Sequence, residues 1–123
     1  MNLASVLEHS IRSVAGYLDM HPCFMVSSEL NKNSELRGQH KVLDICSVLG
    51  ATEYYNAIGG KELYDFAAFR DKGIRLSFLK ADRIQYKQFN NDFVPNLSIL
   101  DVLMFNSKAS IHEMLTAYTL ESM

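Results

Sequence analysis

The sequence has no tryptophan, only two cysteines, and no long apolar run. Cys23 and Cys46 show no disulfide-framework spacing, which argues against a stapled secreted scaffold, and the apolar setting of Cys46 points to free, buried thiols. No stretch approaches a transmembrane span, and the N-terminus lacks a charged region followed by an apolar stretch and a small-residue cleavage site. A cytoplasmic address away from membranes is expected by elimination. Charge of one sign is also lacking: 12 basic against 14 acidic residues give a formal net charge of −2. That leaves no electrostatic surplus for a phosphate backbone, so nucleic acid is not an expected partner.

The 123 residues are 48% hydrophobic and 21% charged, which suits one compact domain over residues 1–123 rather than a disordered chain or fibre. A chain this long buries roughly 65% of its unfolded surface, so neither disulfides nor a metal are needed to hold a core.

Leu3, Val6, Leu7, Ile11, Val14 and Leu18 recur at helical period and predict an amphipathic helix that stops near residues 19–21, before Pro22. Residues 23–26 read as a short buried strand and 27–37 as a loop. Leu36, Gln39, Val42, Leu43, Cys46 and Leu49 restart the helical period, with Gly50 placed for a left-handed cap. Residues 52–56 are rich in β-formers and run through Ile58, Gly59 and Gly60 into a helical pattern at Leu63, Phe66, Ala67 and Arg70, closed by Gly73. Ile74, Leu76 and Phe78 alternate with Arg75 and Ser77, as in a strand.

Three short strands separated by helices predict an α/β fold: a small parallel sheet of about three strands with flanking helices, like half of a Rossmann fold. A long loop over residues 80–96 then precedes two C-terminal helices. One covers residues 97–105; the other has Ser110 and Glu113 at capping-box spacing and Ile111, Met114, Leu115 and Tyr118 as its core stripe.

A strand entering a glycine turn and then a helix aims backbone N–H groups at the strand's carboxyl end, where anions bind. Gly59, Gly60 and Lys61 are therefore candidates for holding an anionic group, with Tyr55 and Asn56 orienting the ligand. The alternative is that both glycines serve only a tight turn. The sequence has no GxGxxG, and Gly60-Lys61 lacks the rest of a P-loop. Asp101 lies in an apolar run where an unpaired carboxylate is costly. It is expected either to tie down the long loop through Arg83, Lys87 or a loop N–H, or to act as a catalytic acid, with Asn106 beside it at the rim. His9, His21, His40 and His112 have no metal-ligand spacing, so no metal or other cofactor is expected. A nucleophilic role for Cys46 is disfavoured on a core helix face, and there is no GxSxG.

Leu43-Asp44-Ile45-Cys46, Leu49-Gly50-Ala51-Thr52, Tyr55-Asn56-Ala57-Ile58-Gly59-Gly60 and Leu63-Tyr64, with the later run from Phe93-Val94-Pro95-Asn96 to Met104-Phe105-Asn106, resemble the WbqC-like protein family. The resemblance is to the C-terminal half of such proteins, whose further N-terminal half carries a Gln-Pro-Tyr-type motif absent here. It implies a setting in bacterial O-antigen and surface-polysaccharide or sugar-nucleotide metabolism. It assigns no reaction. Together with the Gly59-Gly60 turn, that setting makes a nucleotide-sugar or other phosphorylated metabolite the expected ligand; whether the chain is an enzyme stays open, with a transferase as the reaction class if it is one. The rival expectation is a non-catalytic module, self-associating or completed by a partner chain that supplies the other half.

Overall fold

The computed structural model describes residues 2–123. Two compact units divide the chain: one holds Val26–Ile84 and Ala117–Met123, the other holds the chain up to Met25 together with Gln85–Thr116.

In the first unit, α2 (Gly38–Leu49) closes on Gly50, whose φ of 63° is the left-handed cap that the sequence predicts; the Ala51 N–H donates back to the Cys46 carbonyl at 2.8 Å. The chain continues as β1 (Glu53–Ala57), a 3-10 turn over Ile58–Leu63, and α3 (Phe66–Arg70). Asp65 starts α3 by accepting the amides of Ala67 and Ala68, and Gly73, at φ 71°, turns the chain into β2 (Arg75–Ala81). β2 lies parallel to β1, with Tyr54 opposite Leu76 and Asn56 opposite Phe78.

Strand alternation puts Tyr54, Leu76 and Phe78 on one face, against α2 and α3. Leu43, Cys46, Phe69, Ile74, Leu76 and Phe78 form the core there, and the Tyr54 ring stacks on Phe69 at 5.5 Å. Each fully buried Leu or Phe contributes roughly 1.5–3 kcal/mol, which makes this cluster the main source of the unit's stability.

The α/β class, the three-strand sheet with a parallel pair and the flanking helices agree with the sequence reading. The third strand does not. Residues 23–26 join no ladder, and the sheet is completed by β3 (Tyr118–Ser122), antiparallel to β2 in the order β1-β2-β3. Tyr118 therefore lies in a strand and not on a closing helix. A four-residue apolar run has no periodicity to distinguish it from irregular chain, whereas Tyr118, Thr119 and Leu120 are strand formers lying beyond the helix end.

In the second unit α1 (Leu3–Tyr17) starts on Asn2, which accepts the Ser5 amide, and ends before Asp19, itself in the left-handed region at φ 55°. The Asp19 carboxylate pairs with Lys108 at 2.9 Å. The predicted core stripe of α1 is not buried: Leu3, Val6, Leu7 and Ile11 are exposed, and only Leu18, just past the helix, is fully covered. Cys23 is likewise exposed, while Cys46 is buried.

After the long loop come α4 (Ile99–Phe105) and α5 (Lys108–Met114), the two helices expected. α5 is capped by Ser107, which accepts the Ser110 amide at 3.2 Å, and not by Ser110 with Glu113. The helix thus begins three residues before the predicted box.

Candidate functional site

Because β1 and β2 are parallel, both finish at the same end of the sheet, and the Ile58–Leu63 turn starts there. No side chain caps its first turn. The left-handed glycines of the chain are Gly38, Gly50 and Gly73, so the backbone conformation does not demand glycine at 59 or 60. A Cβ at Gly59 would meet nothing within 4 Å, whereas one at Gly60 would sit 3.4 Å from the Asn56 side-chain amide. Gly60 lets the turn fold down on Asn56.

Asn56 is held by the backbone it leaves: its Oδ1 accepts the Ala57 N–H at 2.7 Å, and its Nδ2 donates to the Tyr54 hydroxyl at 3.3 Å. Burial, with the neighbouring Tyr64 hydroxyl, pushes the Tyr54 phenol up to about 12, so Tyr54 stays neutral at physiological pH. Lys61 reaches from the turn to Glu121 on β3, Nζ to Oε2 2.5 Å. Glu121 is opposite Phe78, and Phe78 is opposite Asn56, so Asn56, Gly60, Lys61 and Glu121 gather at one place on one face.

Tyr55 is not part of that group. Strand alternation sends it to the other face, where its hydroxyl donates to Glu53 Oε2 at 2.7 Å beside the Glu53–Arg75 ion pair. The Glu53 carboxylate raises the Tyr55 phenol. Tyr54 is the aromatic residue that shares a face with Asn56.

Asp101 and Asn106 belong to the other unit. Asp101 ties down the long loop, as one of the two sequence readings has it, but through neutral donors: the Tyr86 hydroxyl at 2.5 Å and Gln88 Nε2 at 2.8 Å, both to Oδ2. Gln88 is buried and also forms two bonds with the Val94 peptide, donating to its carbonyl at 3.0 Å and accepting its N–H at 2.7 Å. Arg83 and Lys87, the expected partners, are not involved. Asn106 Nδ2 donates to the Val102 carbonyl at 2.9 Å, closing the end of α4. The sequence reading missed Glu121, Tyr86 and Gln88. The one signal available for them is that Tyr86, like Phe89 and Phe93, is an aromatic residue set in an otherwise polar loop.

Chemically, the turn offers uncapped backbone amides, one amide side chain and an ammonium already paired with the Glu121 carboxylate, at the carboxyl end of a parallel strand pair. That is a donor-rich place suited to an anion and to polar groups attached to it. Among the described residues no group of three or more His, Cys, Asp or Glu is placed to hold a metal ion, and no helix is long and apolar enough to cross a membrane. A model of the WbqC-like protein family matches residues 1–113. The chain belongs to that family. All of the candidate residues fall inside the matched segment of this WbqC-like protein, whereas β3 and its Glu121 lie beyond it. No curated protein and no solved structure matches the chain.

Proposed function

We propose that this WbqC-like protein binds a nucleotide-sugar or related phosphorylated metabolite at the Ile58–Leu63 turn and acts in bacterial surface-polysaccharide or sugar-nucleotide metabolism. The setting follows from the family resemblance. The ligand class rests on one observation: an uncapped turn at the carboxyl end of the parallel pair, with the Lys61 ammonium at its edge. In this reading the amides of residues 59–61 and Lys61 take the phosphate, and Asn56 takes a neighbouring hydroxyl. An incoming phosphate competes with Glu121 for Lys61. A group transfer at such a site would proceed by positioning and electrostatic stabilisation.

Titration calorimetry and ligand-detected NMR with a panel of nucleotide-sugars check this. Binding is expected to weaken by about tenfold in Lys61→Ala, from loss of a charge-assisted bond, and to tighten in Glu121→Gln. Absence of binding across the panel, or binding indifferent to both Lys61 and Gly60→Ala, removes the reading.

The exposed apolar stripe of α1, Leu3, Leu7 and Ile11, favours a second reading, a non-catalytic module that a partner chain covers. Light scattering over a range of concentrations, with Ile11→Asp as control, separates that reading from the first.

A further inference from the structure

Among the described residues the sheet ends at β3. The ladder between β2 and β3 runs without a bulge from Tyr118 to Ser122, and beyond it the Asp82 N–H donates to the Ala117 carbonyl at 2.9 Å. In an antiparallel pair the residues that exchange hydrogen bonds alternate along the strand. Ala117 bonds inward, so Thr119 and Glu121 do as well, and the N–H and C=O groups of Tyr118, Leu120 and Ser122 point away from β2. All three residues are exposed, Leu120 at 44%. The strand lacks three of the devices that blunt an edge: it has no proline, no lysine and no bulge. Its single charge, Glu121, is engaged by Lys61.

We propose that β3 is a self-association edge, pairing antiparallel with β3 of a second copy about a two-fold axis through Leu120. The occupant is a second copy because β3, reversed about its central Leu120, meets itself over its whole length with no like charges opposed. An axis at Leu120 sets Leu120 opposite the partner's Leu120 and Tyr118 opposite the partner's Ser122, so every outward donor meets an outward acceptor. An axis at Thr119 or Glu121 also opposes outward residues but engages only two of the three, and the one at Glu121 sets that carboxylate opposite its own copy. The charges fit the same register. Glu121 faces the partner's Thr119, so no like charges are opposed, and the neighbour of Thr119 on β2 is Lys80. On the other face the row Ala57, Leu79, Leu120 continues across the axis as an unbroken apolar band. β3 lies beyond residues 1–113, the segment matched by the family model, and the edge does not depend on the ligand reading.

Sedimentation equilibrium on the full chain, combined with residue-resolved amide exchange, tests the proposal. Expected is a concentration-dependent dimer in which the amides of Tyr118, Leu120 and Ser122 become protected, while those of Thr119 and Glu121 are protected in monomer and dimer alike. Leu120→Lys and Leu120→Glu, at an exposed position that leaves the core untouched, should each weaken self-association by roughly tenfold, and mixing the two variants should restore it. A chain monomeric up to about 1 mM overturns the proposal. So does exchange at the three edge amides that ignores concentration, or a dimer that survives Leu120→Lys.

Discussion

Gln88 does in the long loop what a neighbouring strand does in a sheet: its side-chain amide exchanges both hydrogen bonds with the Val94 peptide, and its remaining donor goes to Asp101. A buried polar group is tolerated only when its partners are in place. Truncating Gln88 to Ala strands the Val94 peptide and removes one of the two donors that Asp101 receives, and should destabilise the protein by about 2 kcal/mol or more in urea denaturation. Asp101→Asn is a milder change with its own signature. The Tyr86 phenol is raised chiefly by its bond to the Asp101 carboxylate, so removing that charge should bring the phenol down toward 10, visible in the alkaline absorbance titration.

At the scale of the element, glycine separates structural from permissive positions. Gly50 and Gly73 occupy the left-handed region, and Gly59 does not. Gly50→Ala should therefore cost about 1 kcal/mol, whereas Gly59→Ala, with open space at its Cβ, should stay within about 0.5 kcal/mol by thermal or urea unfolding. Features written in consecutive residues were legible in the sequence: the cap at Gly50, the alternation through Leu76 and Phe78, and the strand-to-turn passage carrying Asn56, Gly60 and Lys61. Features decided by distant pairing were not. Which short segment becomes the third strand depends on what β2 will accept along its edge; local composition favours 118–120 over 23–26 but does not name the strand they pair with. Glu121 as the partner of Lys61 was hidden for the same reason, and Tyr55 was grouped with Asn56 although strand alternation separates neighbours. The apolar period of α1 correctly marked a helix; periodicity says nothing about what, if anything, covers the stripe.

Over the whole molecule, a lysine–carboxylate pair joins distant segments in each unit: Lys61 with Glu121, and Lys108 with Asp19. In both, the lysine holds the carboxyl below its ordinary value. A depressed folded-state pKa stabilises above the unfolded value and loses that contribution as pH falls through the folded one. Stability should therefore be flat from neutrality to about pH 5 and decline in the acid range below the ordinary carboxyl values of about 4, with Lys61→Met and Lys108→Met each removing part of the decline. Both pairs are exposed, so the effect is small and salt should shrink it. Carboxyl NMR titration of Glu121 and Asp19 reads it directly.

The last strand of the sheet comes after the whole of α4 and α5 in the chain, although β2, its neighbour, is finished by Ala81. Closing so long a loop is an entropic delay that local helix formation does not suffer. During synthesis the parallel pair must wait with one flank of β2 bare until residues 118–122 clear the ribosome. In that interval the bare flank of β2 is open to pairing with other chains, and a chain truncated before Tyr118 should aggregate at lower concentration than the chain with β3, as read by light scattering.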